Sequence, residues 1–590
     1  MGTVRRFLFH SPPSAPGNTM ISTPIARRKF IQASALAVGS ALVGWPQDQS
    51  SAGNASVCPK SEAPARMLYA FRVESITSRA WDIELTLSCL QGIVNRSQPS
   101  LYLVHDQYDE LWLDWLLKRG DIDDVRWLDV GEVFGRFLPA VRQMFVTDPA
   151  VPASVNVATM LAAVRGGLVA TPSLAEQFNL PFGYSPDSSR MGLDLRTFRW
   201  KKNVEAYRWV YGEIGNELSH QAVAVLDPQE TALRDYLVEF KIPIFWISGY
   251  HEGETGPAIS PVEEKNFARE ILMKLPPNIP CLGWPSGGYK QRGIGEGPGI
   301  QLLSQCAKFN VCTAYDGYSP TAGNLSVHSG TSAALHQRPA PQVSLSRDKV
   351  YYSFIRSDGD GWNFQRQYYR KLFDDPKHGA VPIGWQIGPT AIDGQPDILD
   401  YYYKNARPGD YIVNALSGVG YIHEDDYATN YSPEQRDKIW REYIELSERY
   451  LARLDTQVLV TYSEMRPETM NLFAHMKGIR GIFANYSRSH ETTLANLVTE
   501  VNGIPVFRAD NNSPGAFTFT PYARQSAVGF MVDEIRRWTP PSRPAFLYVF
   551  LANWLTEMGM AQSIAQELGS NYISVRPDQL IDLYRRSSGK

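Results

Sequence analysis

The sequence predicts an α/β protein in which a C-terminal (β/α) barrel or barrel-like domain is preceded by two small α/β domains. Three observations predict it. Short apolar runs of strand length alternate with amphipathic helical patterns from Arg66 onward. Eight such runs, most of them separated by helical patterns, fall between residues 349 and 590, the order that a (β/α) barrel requires. Composition agrees: of 590 residues, 43% are hydrophobic and 20% charged, enough to bury cores, and at roughly 100–200 residues per domain the chain has room for about three.

Ahead of the first domain, Ala26-Arg27-Arg28-Lys29-Phe30-Ile31-Gln32 resembles the bacterial twin-arginine export consensus. A modestly apolar, Ala/Gly-rich stretch follows over 30–45, and Ser50, Ser51 and Ala52 suit cleavage. Residues 1–52 therefore read as a signal peptide, with Met20 an alternative start to Met1, and the expected destination is periplasmic or secreted. No other run reaches the ~18 apolar residues of a membrane span, so no stable membrane anchor is expected. A net charge of -3 without a long basic run gives no footprint for nucleic acid. The five cysteines (Cys58, Cys89, Cys281, Cys306 and Cys312) show no zinc-ribbon spacing. Either two of Cys281, Cys306 and Cys312 bridge in an oxidising compartment or the thiols stay buried.

The first small domain is expected over 66–165. It opens with a strand at 67–73, a helix at 82–95 carrying Leu85, Cys89 and Ile93 on one stripe, and a strand at 100–104. The second, over 166–330, has strand candidates at 167–170, 222–226, 242–247, 279–283 and 311–315, with helices at 231–240 and 261–275. Residues 331–348, rich in Ser, Ala, Pro and Gln and without periodicity, read as a linker. Over 349–590 the strands are expected at 350–355, 383–387, 411–416, 458–462, 481–484, 504–507, 545–551 and 572–575.

Polar residues follow most of these strands. Arg356, Ser357, Asp358 and Asp360 follow the first, and Ser417, Gly418, Gly420 and Tyr421 the third. Glu464 comes after the fourth, Asn485 after the fifth, Asp510 and Asn511 after the sixth, and Asn553 and Trp554 after the seventh. In a barrel these strand ends converge on one mouth, where catalysis sits. One such residue is ordinary turn chemistry, but carboxylates or amides after five strands of one barrel point to a functional mouth.

Asp358-Gly359-Asp360 is the sharpest local feature. The glycine permits a tight turn, and the i, i+2 spacing puts both carboxylates on one side of an extended segment. Two close carboxylates do not both ionise easily, so one pKa rises, which suits a general acid. The same pair suits a hard divalent cation, and an Asx-type turn explains it equally well.

With these motifs the second half resembles the GxGYxYP family, which carries a glycoside hydrolase label. The matching pieces are Ser357-Asp358-Gly359-Asp360, Gly384-Trp385-Gln386-Ile387-Gly388-Pro389, Ser417-Gly418-Val419-Gly420-Tyr421, Leu551-Ala552-Asn553-Trp554 and Val575-Arg576-Pro577-Asp578. The first half is similar to that family's N-terminal region through Leu90-Gln91-Gly92-Ile93-Val94-Asn95-Arg96, Leu282-Gly283-Trp284 and Asn324-Leu325-Ser326-Val327. The resemblance runs in the family's order over nearly the whole chain after the leader. Two departures stand out. The naming motif continues Tyr-x-Tyr-Pro in the family, whereas Tyr421 is followed here by Ile422, His423 and Glu424, which removes a ring contact and adds a carboxylate. Gly361 stands where the acidic motif usually ends in Asn, which removes an amide beside Asp360.

The expected function is therefore an exported glycoside hydrolase acting on a poly- or oligosaccharide through paired carboxylates. Asp358 or Asp360 is the expected acid and Glu464 the base or nucleophile, with Asp510 in reserve. Trp385, Tyr421 and Trp554 are expected to stack on sugar faces or orient hydroxyls. Arg356, Asp510 and Asn553 complete the expected substrate-binding set. No cofactor is expected beyond a possible cation at Asp358 and Asp360. A metal-dependent deacetylase-like hydrolase is the alternative enzyme, although the ten histidines include no H-x-x-x-H pair in the second half. A non-catalytic glycan-binding protein is the alternative from another class. Gly293-x-Gly295-x-Gly297-Pro298 lacks the Lys-Ser/Thr of a P-loop, and no G-x-S-x-G elbow is present.

Overall fold

Strands buried on both faces read as near-continuous apolar runs, and here they assemble into parallel sheets with helices over their faces. The computed structural model describes residues 56–589 apart from 142, 179–191, 250–255, 288–291, 316–318 and 513–520. The leader expected over 1–52 lies outside the described residues, which belong to one compact unit.

Three small parallel sheets occupy the first half. The first has the order β2-β1-β3, from β1 (Met67–Arg72), β2 (Leu101–Val104) and β3 (Asp124–Trp127). The second is β5-β4-β6, from β4 (Gln143–Val146), β5 (Gly167–Ala170) and β6 (Leu193–Asp194). The third is β12-β9-β7-β8, from β7 (Val223–Val225), β8 (Ile244–Phe245), β9 (Ile279–Gly283) and β12 (Lys308–Val311), with a two-stranded ribbon of β10 (Ser286–Gly287) and β11 (Arg292–Gly293) beside it. The boundary expected between residues 165 and 166 thus falls between two paired strands, β4 and β5. The strand expected at 311–315 lies earlier, at β12, because Lys308 hides its apolar character. That lysine is fully buried and donates to Cys306 O at 2.8 Å and Leu275 O at 3.4 Å. All five cysteines are buried thiols.

The second half forms one large sheet from β13 (Val350–Arg356), β14 (Ile383–Ile387), β15 (Asp410–Asn414), β16 (Val458–Val460), β17 (Gly481–Ala484), β18 (Val498–Val501), β19 (Ile504–Arg508), β20 (Ala545–Leu551) and β21 (Tyr572–Ser574). The order is β18-β19-β17-β16-β15-β14-β13-β20, parallel except for the β18–β19 hairpin. β21 shares one edge of β13 with β14, pairing with Val350–Tyr352 while β14 pairs with Phe354–Arg356. All eight expected strands are present. The ladder is not continuous all the way round, however. β19 and β20 approach through a single bridge, Ala509 to Tyr548, and through the Asp510 N–H donating to Tyr548 O at 3.1 Å. Asn511 extends this seam with its side chain, donating to Phe550 O at 3.1 Å and accepting from Phe550 N at 2.9 Å.

The helices follow their stripes. In Pro433–Arg453 the Ser432 and Gln435 capping box starts the helix behind Pro433, and Ile439, Trp440, Tyr443, Leu446, Tyr450 and Leu451 bury one face. Among the described residues no helix is long and apolar enough to cross a membrane.

Candidate functional site

The third small sheet and the large sheet are stitched together where their carboxyl ends meet. Tyr421 and Asn310 exchange backbone hydrogen bonds, 2.8 Å into Tyr421 O and 3.0 Å into Asn310 O, so the loop after β15 pairs along β12 like a short added strand. Gly420 must be glycine for this approach, since a Cβ there would lie 2.4 Å from the Phe309 ring. Trp362 N–H donates to Cys312 O at 2.8 Å and Asn363 Nδ2 to Ala314 O at 2.9 Å, fastening the segment after Asp360 to the end of β12.

Between these ends lies a cleft of about 1100 Å³. The large sheet supplies Asp358, Asp360, Tyr421, Tyr462, Glu464, Asn485, Tyr486, Arg488 and Trp554, and the third sheet supplies Trp284, Glu296 and Cys312. In open parallel sheets and barrels alike, ligands bind outside the carboxyl ends of strands, and two sheets here direct such ends into one space.

The Asp-Gly-Asp element is a turn rather than an extended segment. Asp358, not Gly359, takes the left-handed conformation, with φ 63°. Gly359 is needed for a different reason: a Cβ would sit 1.5 Å from Gln386 O. Its carbonyl accepts from Gly388 N at 2.8 Å and Gln365 Nε2 at 2.6 Å. Asp358 N–H donates to the Tyr486 hydroxyl, and Ser357 Oγ donates to an Asp358 carboxylate oxygen. Ser417, Asn485 and Ser487 are also left-handed, at φ 62°, 75° and 93°, so costly backbone conformations collect at the strand ends around the cleft.

Glu464 is fixed at both oxygens. Asn485 Nδ2 donates to Oε2 at 2.9 Å, and the Arg508 guanidinium ion-pairs with Oε1. Arg508 is itself held by Asn496 O at 2.9 Å and Thr499 Oγ1 at 2.8 Å. Glu424, the carboxylate added beside the naming motif, does not line the cleft. It is fully buried, accepting from Ser417 Oγ at 2.5 Å, Tyr462 N at 2.8 Å and Ser463 Oγ at 2.7 Å, and it therefore positions the loop that carries Glu464. Burial raises its pKa.

Four residues expected to bind substrate are enclosed by protein instead. Trp385 is 1% exposed; its indole donates to Asp410 Oδ1 at 2.9 Å and packs against Tyr369, Phe373 and His378. Strand alternation is the reason, because it places Trp385 on the face opposite Gln386, whose amide lies within 3.5 Å of the Tyr486 hydroxyl. Arg356 is buried, donates to Thr556 O at 2.7 Å and Asn553 Oδ1 at 3.3 Å, and has its pKa brought down to about 10 by desolvation. Asn553 is buried too and clamps Ser357, donating from Nδ2 to Ser357 O and from its backbone N–H to Ser357 Oγ at 3.1 Å. It holds the acidic turn from below. Asp510 is fully buried, neither of its carboxylate oxygens has a hydrogen-bond partner among the described residues, and burial raises its pKa strongly.

Sequence reasoning missed Glu296. It begins the helix Glu296–Gln305, within the glycine-rich segment that lacks P-loop chemistry, and it accepts from the Tyr421 hydroxyl at 2.9 Å. Desolvation raises its pKa, opposed by that hydrogen bond. The rings missed are Trp284, Tyr462 and Tyr486. With Tyr421 they form a strip with centroid steps of 6.3, 5.0 and 6.0 Å. The signal in the sequence was the Leu282-Gly283-Trp284 motif. Among the described residues no group of three or more His, Cys, Asp or Glu is arranged to hold a metal ion.

Four family models match consecutive parts of the chain. Residues 71–127 match the "GxGYxYP_N 1st domain", 142–215 the second domain, 220–330 the third domain, and 348–585 the "GxGYxYP putative glycoside hydrolase C-terminal domain". A crystal structure from Bacteroides thetaiotaomicron VPI-5482, described as a "putative hydrolase", is similar at a TM-score of 0.71 and 20% identity, covering 90% of this chain and 96% of that one. At that identity the likeness shows the fold alone. No curated protein matches the chain.

Proposed function

We propose that this chain, which belongs to the GxGYxYP family, is an exported hydrolase that cleaves glycosidic bonds of a poly- or oligosaccharide in the cleft. One observation carries the reading: Asp358, Asp360 and Glu464 line one cleft together with Tyr421, Tyr462, Tyr486 and Trp554. Glycoside hydrolysis needs an acid to protonate the leaving oxygen and a second carboxylate to act as base or nucleophile. In this reading the large sheet acts as a barrel-like support whose mouth holds these groups. The Asp358–Asp360 turn supplies the acid and Glu464, oriented by Arg508 and Asn485, supplies the base or nucleophile. Trp284, Tyr462 and Tyr486, backed by the buried Tyr421, offer flat apolar faces to sugar rings, and Asn553 and Tyr486 position the acidic turn. Arg27 and Arg28 would address the chain to the twin-arginine route.

The test is hydrolysis of a glycan library by the wild type, Asp358→Asn and Glu464→Gln, with and without chelator. Turnover that falls about 10²–10⁴-fold in both variants and is indifferent to chelator supports the reading. Chelator-sensitive release of acetate would move the site to a metal-dependent deacetylase, with Asp358 and Asp360 toward the cation. Glycan binding without turnover, unchanged in both variants, would leave a binding protein.

A further inference from the structure

We propose that the third small sheet contributes a sugar-binding subsite to the cleft, with Trp284 as ring platform and Glu296 as hydroxyl acceptor, so that the preferred ligand is a chain of two or more sugar units. This rests on the glycan reading of the cleft, although not on hydrolysis. Trp284 is the first residue after β9; its N–H donates to Val225 O at 3.1 Å, and the half-buried indole lines the cleft. Its ring stacks with Tyr421 at 6.3 Å and 26°. Tyr421 therefore does two things at once: it backs the indole, and its hydroxyl fixes Glu296 Oε1 at 2.9 Å. Glu296 is exposed and lines the cleft, so its carboxylate is open to a ligand hydroxyl. A flat apolar surface beside a fixed acceptor matches a pyranose, which presents C–H bonds on its face and hydroxyl donors at its rim.

Position gives the subsite its length requirement. Trp284 and Glu296 come from the third sheet, whereas Asp358, Asp360 and Glu464 follow strands of the large sheet. The strip from Trp284 through Tyr421 and Tyr462 to Tyr486 ends at the residue that receives Asp358 N–H. A ligand that fills both ends needs more than one ring.

The experiment is affinity electrophoresis of the full chain through gels containing β-glucan, xylan, mannan or α-glucan, comparing the wild type with Trp284→Ala, Trp284→Phe, Glu296→Gln and Asp358→Asn. On the polysaccharide that retards the wild type, Trp284→Ala should weaken retardation about tenfold, the size of one lost aromatic contact, and Trp284→Phe should restore most of it. Glu296→Gln should weaken it about fivefold to tenfold, the loss of charge assistance in one hydrogen bond. Asp358→Asn should be retarded like the wild type. Where turnover is measurable, the Trp284 and Glu296 variants should raise KM about tenfold and leave kcat within about threefold. Retardation unchanged in both variants overturns the subsite, as does absence of retardation of the wild type in every gel. Weakened retardation in a protein that hydrolyses nothing keeps the subsite and overturns the hydrolase.

Discussion

Asn310 of β12 and Tyr421 of the loop after β15 exchange both backbone hydrogen bonds, at 2.8 and 3.0 Å, although they lie 111 positions apart in sequence. This pair decides where the cleft is. It carries the Tyr421 ring to Trp284 and its hydroxyl to Glu296, both of which line the cleft.

The stitch depends on Gly420. A Cβ at that position would meet the Phe309 ring at 2.4 Å and Asn310 O at 3.1 Å. Gly420→Ala is expected to cost about 1–3 kcal/mol, as overpacking does, and to lower glycan binding with it. Thermal unfolding and affinity electrophoresis check this. A variant as stable and as well retarded as the wild type would remove the stitch from the account of the site.

Arg508 orients Glu464 without lining the cleft. Glu464→Gln keeps shape and removes titration, so activity should fall about 10²–10⁴-fold with little change in binding. Arg508→Met should lower kcat by a smaller factor and leave KM within about threefold, and Arg508→Lys should recover part of the loss. Unchanged kcat in Arg508→Met would make Arg508 a purely structural residue.

Tyr486 receives Asp358 N–H. Tyr486→Phe leaves that donor without its acceptor at a strained φ of 63°, which should destabilise the turn by about 1–3 kcal/mol. The expected result is a loss of kcat larger than the change in KM. Equal kinetics for the variant and the wild type would show that the turn holds without the tyrosine.

Glu239 lies at the base of the first half, where it accepts from Ser61 Oγ at 2.6 Å and is buried. Burial pushes its pKa from 4.5 to about 9. The folded state therefore holds a proton that the unfolded state has released, so stability present below pH 4.5 is lost as pH rises toward about 9, at a limit of ~1.4 kcal/mol per pH unit. Glu239→Gln should show a flatter dependence of Tm on pH and overtake the wild type near pH 8. Parallel curves from pH 4 to 9 would count against the shift.

Export is tested separately. Replacing Arg27 and Arg28 by Lys should leave precursor in the cytoplasm, because the twin-arginine receptor reads the pair as an address. Normal translocation of the double variant, followed by fractionation and immunoblotting, would defeat this reading.

The sequence by itself determined the α/β class, the eight strands of the second half, the family, and three acidic residues of the cleft, Asp358, Asp360 and Glu464. Each of these is local: a buried parallel strand must be apolar along its length, and the residue after it is polar whatever else happens. The tertiary structure decided which of the polar residues face the same space. Trp385 shares its strand with cleft-side groups, yet a period of two turns it toward the helices, and the strand limits that set its side are not fixed by composition. Arg356 ends its strand, and Asn553 and Asp510 follow theirs as Asp358 and Glu464 do, but all three are buried in the protein interior. Glu296 and Trp284 enter the site only because β12 offers an edge to Tyr421, a pairing between segments far apart in sequence. Such a contact depends on backbone edges and on the absence of a side chain at Gly420, so it leaves almost no trace in the pattern of polar and apolar residues.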